Sequence, residues 1–153
     1  MTCPICSWSP SEVDYPFVCE AAHWRVVLAP NQSLLGRCVV QLKRHAGDLV
    51  EQTPDELAEW LEVVQRLEEA LRTAFGATMF NWSCYMNHAY RTKPYDPHIH
   101  WWAVPRFDHP VTLSGHVFSD PHFGSPYDHH RWTDVSAELR EEIVERLQHT
   151  LRV

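Results

Sequence analysis

Lysine is scarce in this chain. Only Lys43 and Lys93 occur, no basic run exists, and the formal net charge is −7. That balance excludes sequence-independent binding to a nucleic-acid polymer, which relies on arrays of cations against phosphates. A single nucleotide needs only a local site and stays within reach. No apolar segment approaches the roughly 18 residues of a membrane span, so no membrane partner is expected. The opening residues, Met-Thr-Cys-Pro-Ile-Cys, lack the charged and apolar regions of a signal peptide, which predicts a cytoplasmic location. Five cysteines without a secretion signal point to reduced thiols, not a disulfide framework. No repeat, low-complexity stretch or linker interrupts the 153 residues. One domain over residues 1–153 is predicted, long enough to bury a core.

Hydrophobic patterning supplies the elements. Residues 24–28 (Trp-Arg-Val-Val-Leu) read as a strand ended by Ala29-Pro30-Asn31. Residues 36–42 read as a second, close enough to pair antiparallel. Thr53-Pro54-Asp55-Glu56 is a helix start: threonine caps, proline takes the first turn, and Glu56 completes a capping box. Leu57, Leu61, Val64, Leu67, Leu71 and Phe75 follow at helical spacing, and Gly76 ends the helix. Glu59, Glu62, Arg66, Glu69 and Arg72 are expected to form a solvated face. Residues 78–86 and 98–104 read as two more strands, separated by a polar, proline-containing loop. Residues 105–133 are irregular and rich in His, Asp and Pro, and their segment 120–130 reads as a solvated loop. Residues 134–152 form an amphipathic helix with Leu139, Ile143, Leu147 and Leu151 as its stripe. The fold class is therefore α+β: a mostly antiparallel sheet of about five strands, one long helix and a C-terminal helix. Two further short strands are expected within the segments read as loop.

The chemistry concentrates in Pro97-His98-Ile99-His100-Trp101-Trp102-Ala103-Val104-Pro105-Arg106. On a strand, side chains two apart share a face, so His98, His100 and Trp102 are expected together. Cys3 and Cys6 form a CxxC. A thioredoxin-type redox motif needs a helix directly afterwards, and Ser7-Trp8-Ser9-Pro10-Ser11 is poor helix material. Zinc is the better reading, but a tetrahedral site needs two more ligands, and with no second CxxC these must be histidines. Eleven exist, and spacing alone does not choose among them. His45 and His98 lie at strand edges where an N-terminal loop reaches. Cys38 and Cys84 read as small core residues.

Residues 98–106 resemble the signature of the histidine triad superfamily, His-x-His-x-His followed by apolar residues and Pro-Arg. The block Gly36–His45, with Asp48-Leu49 and Thr53–Glu56, resembles that family's second strand and the start of its long helix. Asn87 lies 100 − 87 = 13 positions before His100, where members place a phosphate- or ribose-contacting polar residue. The resemblance covers about residues 3–106, leaving 107–153 as an additional tail and helix. It implies a nucleotide hydrolase or nucleotidyltransferase working through a nucleotidyl-histidine intermediate. His100 would be the nucleophile, and His98 would support it through its carbonyl. It also implies structural zinc on Cys3, Cys6, His45 and His98, as in zinc-bearing members related to galactose-1-phosphate uridylyltransferases, and a homodimer. Asn87, Trp102, Arg37 and Lys93 would contact a nucleotide or nucleotide-conjugate substrate. The chain departs from the pattern in three places. Trp102 stands at the third triad position. Arg37 stands where many hydrolases of the family carry histidine. Arg91–Pro97 replaces a small glycine-rich loop. A silent binding module, or a zinc-stabilised interaction protein, is the alternative that Trp102 raises.

Overall fold

The computed structural model describes residues 3–152; Met1, Thr2 and Val153 lie outside the described residues. The chain runs β1 (Phe17–Glu20), β2 (Trp24–Leu28), β3 (Cys38–Leu42), α1 (Pro54–Phe75), β4 (Met79–Ser83), β5 (His100–Arg106), β6 (Val111–Leu113), β7 (His116–Phe118) and α2 (Ala137–Leu151). The first five strands form one antiparallel sheet in the order β1-β2-β3-β5-β4. The α+β architecture read from patterning is the one observed. Three short strands lie outside the segments read as strands, one more than the two expected: β6 and β7 within 105–133, and β1 ahead of residue 24. β1 has four residues and a register irregularity between Phe17 and Cys19, too short and bent to show a period of two. β6 and β7 form a separate hairpin around Ser114-Gly115, both in the left-handed region (φ 47° and 78°), the conformation that tight hairpin turns demand. No helix among the described residues is long and apolar enough to cross a membrane.

One face of the sheet carries the main core. Trp24, Val26, Leu28, Cys38, Val40, Leu42 and Ala103 meet Val63, Leu67, Leu71 and Phe75 of α1 and Leu139, Ile143 and Leu147 of α2. Cys38 is buried within it as expected, whereas Cys84 is only half-buried. The stripe on α1 is rotated from the one expected. Its buried positions are Glu56, Val63, Leu67, Ala70, Leu71 and Phe75, while Leu57 and Leu61 are exposed. The shift arises because Glu56 is drawn inward, which turns Leu57 out. Nor is the charged face merely solvated, because the Glu59 carboxylate accepts from the backbone N–H groups of Ala22 and His23 at 3.0 and 2.6 Å. Gly36 has φ 80° and lies against α1, where an added Cβ would fall 2.5 Å from Leu71 Cδ2. No side chain fits there, and the loop into β3 consequently seats directly on the helix.

The start of α1 is held by charge. Thr53 caps it and Glu56 closes the capping box. The Glu56 carboxylate also accepts from Arg44 Nε at 2.5 Å and Nη2 at 2.9 Å, which ties the end of β3 to the helix. These hydrogen bonds lower the Glu56 carboxyl to about 2. A carboxyl with a lowered folded-state value stabilises the fold fully above its ordinary value, and that contribution fades as pH falls toward the folded value. The window here runs from about 4.5 down to about 2. Glu56→Gln is therefore expected to be less stable than the native chain at pH 7, and to lose less further stability between pH 4.5 and pH 2. Urea unfolding across that range checks it; parallel curves for the two proteins would contradict the assignment.

Candidate active site and metal centre

The other sheet face carries the polar chemistry. β3 and β5 pair with Gln41 opposite His100 and Val39 opposite Trp102. The pleat therefore sets Gln41, His100, Val39 and Trp102 side by side on one face. β5 begins at His100, so His98 precedes the strand and is placed by the loop that leads into it.

The N-terminal segment folds over this face. Arg25 straps it down: its guanidinium donates from Nη2 to Ile5 O at 3.0 Å, bonds Gln41 Oε1 through Nε and Nη2, and stacks 4.0 Å from the Trp8 ring. Trp8 Nε1 donates to Tyr15 O at 3.0 Å. Cys3 and Cys6 are thereby brought to His45 and His98, and the four donor atoms lie within 4.8 Å of one another. His98 Nε2 donates to Leu42 O at 2.7 Å, so Nδ1 is the free nitrogen, 3.2 Å from Cys3 Sγ and 3.5 Å from Cys6 Sγ. His45 is arranged alike, with Nδ1 3.4 Å from Cys6 Sγ and Nε2 3.1 Å from Asp96 Oδ1. Two sulfurs and two imidazole nitrogens in this small a space fit a tetrahedral zinc ion, and both far nitrogens have the acceptor partners that such ligands ordinarily carry. Asp96 was not among the residues read from the sequence. A lone carboxylate in a polar loop carries no signal until the fold sets it beside His45. Burial, then the neighbouring Cys3 thiol, pushes the Cys6 thiol up. Metal binding acts in the opposite sense, since a bound thiol ionises.

His100 stands outside this cluster and is bonded to it through the backbone. Its Nδ1 donates to the carbonyl of His98 at 2.8 Å, which leaves Nε2 with a free lone pair. Burial pulls the imidazole below its ordinary value, so it is neutral at neutral pH. The ring opens into a cavity of about 260 Å³ with Val39, Gln41 and Trp102 beside it and Ile5, Trp8, Glu12, Asp14 and Tyr15 as the opposing wall. That lies just below the roughly 300–1,000 Å³ typical of small-molecule sites. It has room for part of a nucleotide. A larger open cavity of about 550 Å³ lies between the β6–β7 turn and the start of α2, lined by Glu138 and Glu142 among others. There the Ser114 hydroxyl donates to the Glu142 carboxylate on an exposed turn; the half-buried imidazole held by a backbone carbonyl lies at the smaller cavity, and the chemistry is assigned there.

The remaining sequence candidates fall in different places. Trp102 lines the cavity, its ring centroid 6.1 Å from that of His100. Arg37 stacks on the Trp102 ring at 4.5 Å and does not itself line the cavity. Its guanidinium makes no hydrogen bond among the described residues, and Nε is buried without a partner. An unsatisfied buried donor of this kind costs about 1–3 kcal/mol. Asn87 and Lys93 are both exposed in the 87–97 loop, and neither lines the cavity. The acidic, histidine-rich segment is no freely solvated loop. Arg106, buried at the end of β5, donates to both Asp120 oxygens (2.6 and 3.0 Å), Asn81 Oδ1 (2.8 Å), Ser125 O (2.9 Å) and His122 O (2.7 Å). This docks the segment across the far end of the face and sets the Tyr127 ring 5.7 Å from the Arg37 guanidinium. Among the described residues it forms no metal cluster.

No protein-family model matches the chain, and no curated protein matches it. Solved structures do. A hypothetical histidine triad nucleotide-binding protein of Sulfolobus tokodaii is 18% identical with a TM-score of 0.72, over 98% of this chain and 92% of that one. A zinc-bound histidine triad family protein of Mycobacterium smegmatis is 24% identical with a TM-score of 0.60, over 89% and 83%. A uridylyltransferase is 17% identical with a TM-score of 0.58, over 93% of this chain but 42% of that one. The chain has the histidine triad fold.

The metal centre makes a direct prediction. The purified native chain should hold close to one zinc per chain, and Cys3→Ser with Cys6→Ser should hold none. Asp96→Asn should keep the metal with affinity reduced about 10-fold. Elemental analysis and chelator competition measure both; zinc retained by the double serine variant would exclude these ligands.

Proposed function

We propose that the chain is a histidine triad-type nucleotide hydrolase or nucleotidyltransferase that acts at the α-phosphate through His100. The observation that carries this reading is the pairing of His100 Nδ1 with the His98 carbonyl beside a cavity. A neutral imidazole so held presents Nε2 as a nucleophile, and the cation formed on attack keeps its Nδ1–H on a carbonyl. In the first step an Nε2–P bond forms and the bond from phosphorus to the leaving group breaks, the leaving group taking the electron pair. In the second, the oxygen of water or another acceptor attacks phosphorus, the N–P bond breaks, and the acceptor's proton is released. Glu12 and Asp14 offer acceptors for sugar hydroxyls, and Trp102 offers an apolar surface and one N–H. Zinc on Cys3, Cys6, His45 and His98 would have four protein ligands and no open position, so its contribution is to hold the fold.

This reading includes a homodimer. The exposed Leu57 and Leu61 of α1 support an apolar contact on that helix, and exposed Met79 offers another on the edge strand β4. Sedimentation should give twice the 17.9 kDa chain mass. Trp102 at the third triad position is the specific observation that favours a second reading, a nucleotide-binding module without turnover. Mass spectrometry separates the two. Incubation with a panel of nucleotides should give a covalent nucleotide adduct on His100, and His100→Ala should abolish it and lower turnover by a factor on the order of 10³ or more. Nucleotide binding without any adduct, equal in native and His100→Ala protein, would establish the second reading instead.

A further inference from the structure

A histidine at position 102 could deliver a proton or a charge to a leaving group. Trp102 does neither, since an indole N–H is a neutral donor that keeps its proton. The cation nearest that position is Arg37, which stands between two rings, 4.5 Å from Trp102 and 5.7 Å from Tyr127. Its backbone is fixed as well. Buried Gln32 donates from Nε2 to the Arg37 carbonyl at 3.0 Å and accepts from Gly36 N–H at 2.9 Å. The guanidinium is thus preorganised by stacking and by its loop, while its N–H groups find no acceptor among the described residues and Nε is buried. A planar fork of free donors against the ring at the third triad position is suited to a phosphate that extends past Trp102 from the cavity.

Resting on the function proposed above, we infer that Arg37 is the leaving-group residue, and that the substrate's leaving group is itself a phosphate or phosphate ester. In a nucleoside diphosphate conjugate or dinucleoside polyphosphate, attack by His100 Nε2 breaks the bond from the α-phosphorus to its bridging oxygen. The electron pair stays on that oxygen, which becomes a terminal phosphate oxygen and departs as an anion with no proton required. Arg37 neutralises it. A phosphoramidate differs, because its amine must be protonated to leave. A guanidinium does not give up its proton near neutral pH. The other titratable groups nearby serve no better. Glu12 and Asp14 are carboxylates, and Tyr15, pushed above its ordinary value by burial, yields its proton still less readily. His88 is exposed, and its ring has no hydrogen-bond partner among the described residues to hold it.

Two measurements test this. Calorimetric titration with adenosine and uridine 5′-diphosphate should show Arg37→Ala binding weakened at least about tenfold, and Arg37→Lys intermediate, with the folded-state spectrum of both unchanged. Turnover of a dinucleoside polyphosphate should exceed that of a nucleoside phosphoramidate in the native chain. Trp102→His should raise the ratio of the phosphoramidate rate to the polyphosphate rate at least about tenfold, as expected when a proton donor is restored. Unchanged diphosphate affinity in Arg37→Ala, or a native preference for the phosphoramidate, would overturn the assignment of Arg37 even with an adduct on His100. Weakened affinity with no adduct on any substrate would uphold Arg37 as the phosphate ligand and overturn the catalytic reading. Absence of any nucleotide binding would overturn both.

Discussion

The hydrogen bond from His98 Nε2 to the carbonyl of Leu42, 2.7 Å long, is the contact on which the rest of the site depends. It consumes the only N–H of a neutral imidazole, so Nδ1 must face Cys3 and Cys6 as a lone pair. The same residue's carbonyl then fixes His100 from the other direction, accepting its Nδ1–H. One residue, anchored once to β3, decides which nitrogen meets the metal donors and which nitrogen of the next histidine is free to react. Turning the His98 ring over would set an N–H against the sulfurs. The cysteine–histidine cluster and the His100 imidazole are therefore coupled through a single peptide unit.

That coupling explains how an unstructured N-terminal segment forms part of the site. Residues 3–16 contain no helix or strand, and most of their side chains are exposed or half-exposed, so burial contributes little to their order. They are held by the Arg25 strap and by the cluster, whose partners Cys3 and His98 are 95 positions apart. In the chain-entropy picture, closing a loop of about a hundred residues with one cross-link is worth on the order of 4–5 kcal/mol. That compares with about 0.5–1.5 kcal/mol for an ordinary hydrogen bond. A zinc ion on the four donors would supply such a cross-link and help hold the cavity wall of Ile5, Trp8 and Tyr15, beside the Arg25 strap and the Trp8–Tyr15 hydrogen bond.

The legible parts of the sequence were those where a local pattern and its cause coincide. The caps of α1, the apolar strands β2, β3 and β5, and the stripe on α2 each announce themselves within a few residues. The CxxC and the paired histidines were equally plain, but the choice of His45 and His98 among eleven histidines came from family resemblance, since no spacing rule links residues brought together across the sheet. Asp96 and the role of Arg106 carried no local signal at all. The expected core stripe through Leu57 and Leu61 failed for a related reason. Periodicity counts apolar residues, whereas the rotation of α1 is set by a charged residue, Glu56, captured by Arg44. In the same way the acidic, histidine-rich segment read as solvated loop because its acceptors are ordinary turn residues until a buried arginine meets them.

Two arginines on one sheet face show how a buried charge can be read. Arg106 makes five hydrogen bonds, one for each N–H it owns, and its partner Asp120 is equally buried. Burial alone would raise the Asp120 carboxyl, yet Arg106 and nearby backbone donors hold it below its ordinary value. Nothing is left over for a ligand, and removing one member of such a pair strands the other at a cost of about 3–5 kcal/mol. Arg37, a short distance along the face, has the opposite balance: its stem is covered and its guanidinium is stacked, but its donors are unspent. A scaffold gains nothing from that arrangement and loses the desolvation of the group. The two are connected through Tyr127, whose ring lies 5.7 Å from each guanidinium. The saturated arginine docks the segment that carries Tyr127, and Tyr127 in turn helps hold the unsaturated arginine beside Trp102. Arg106, with all its partners inside the fold, builds structure; half-buried Arg37 keeps its donors for the phosphate proposed above.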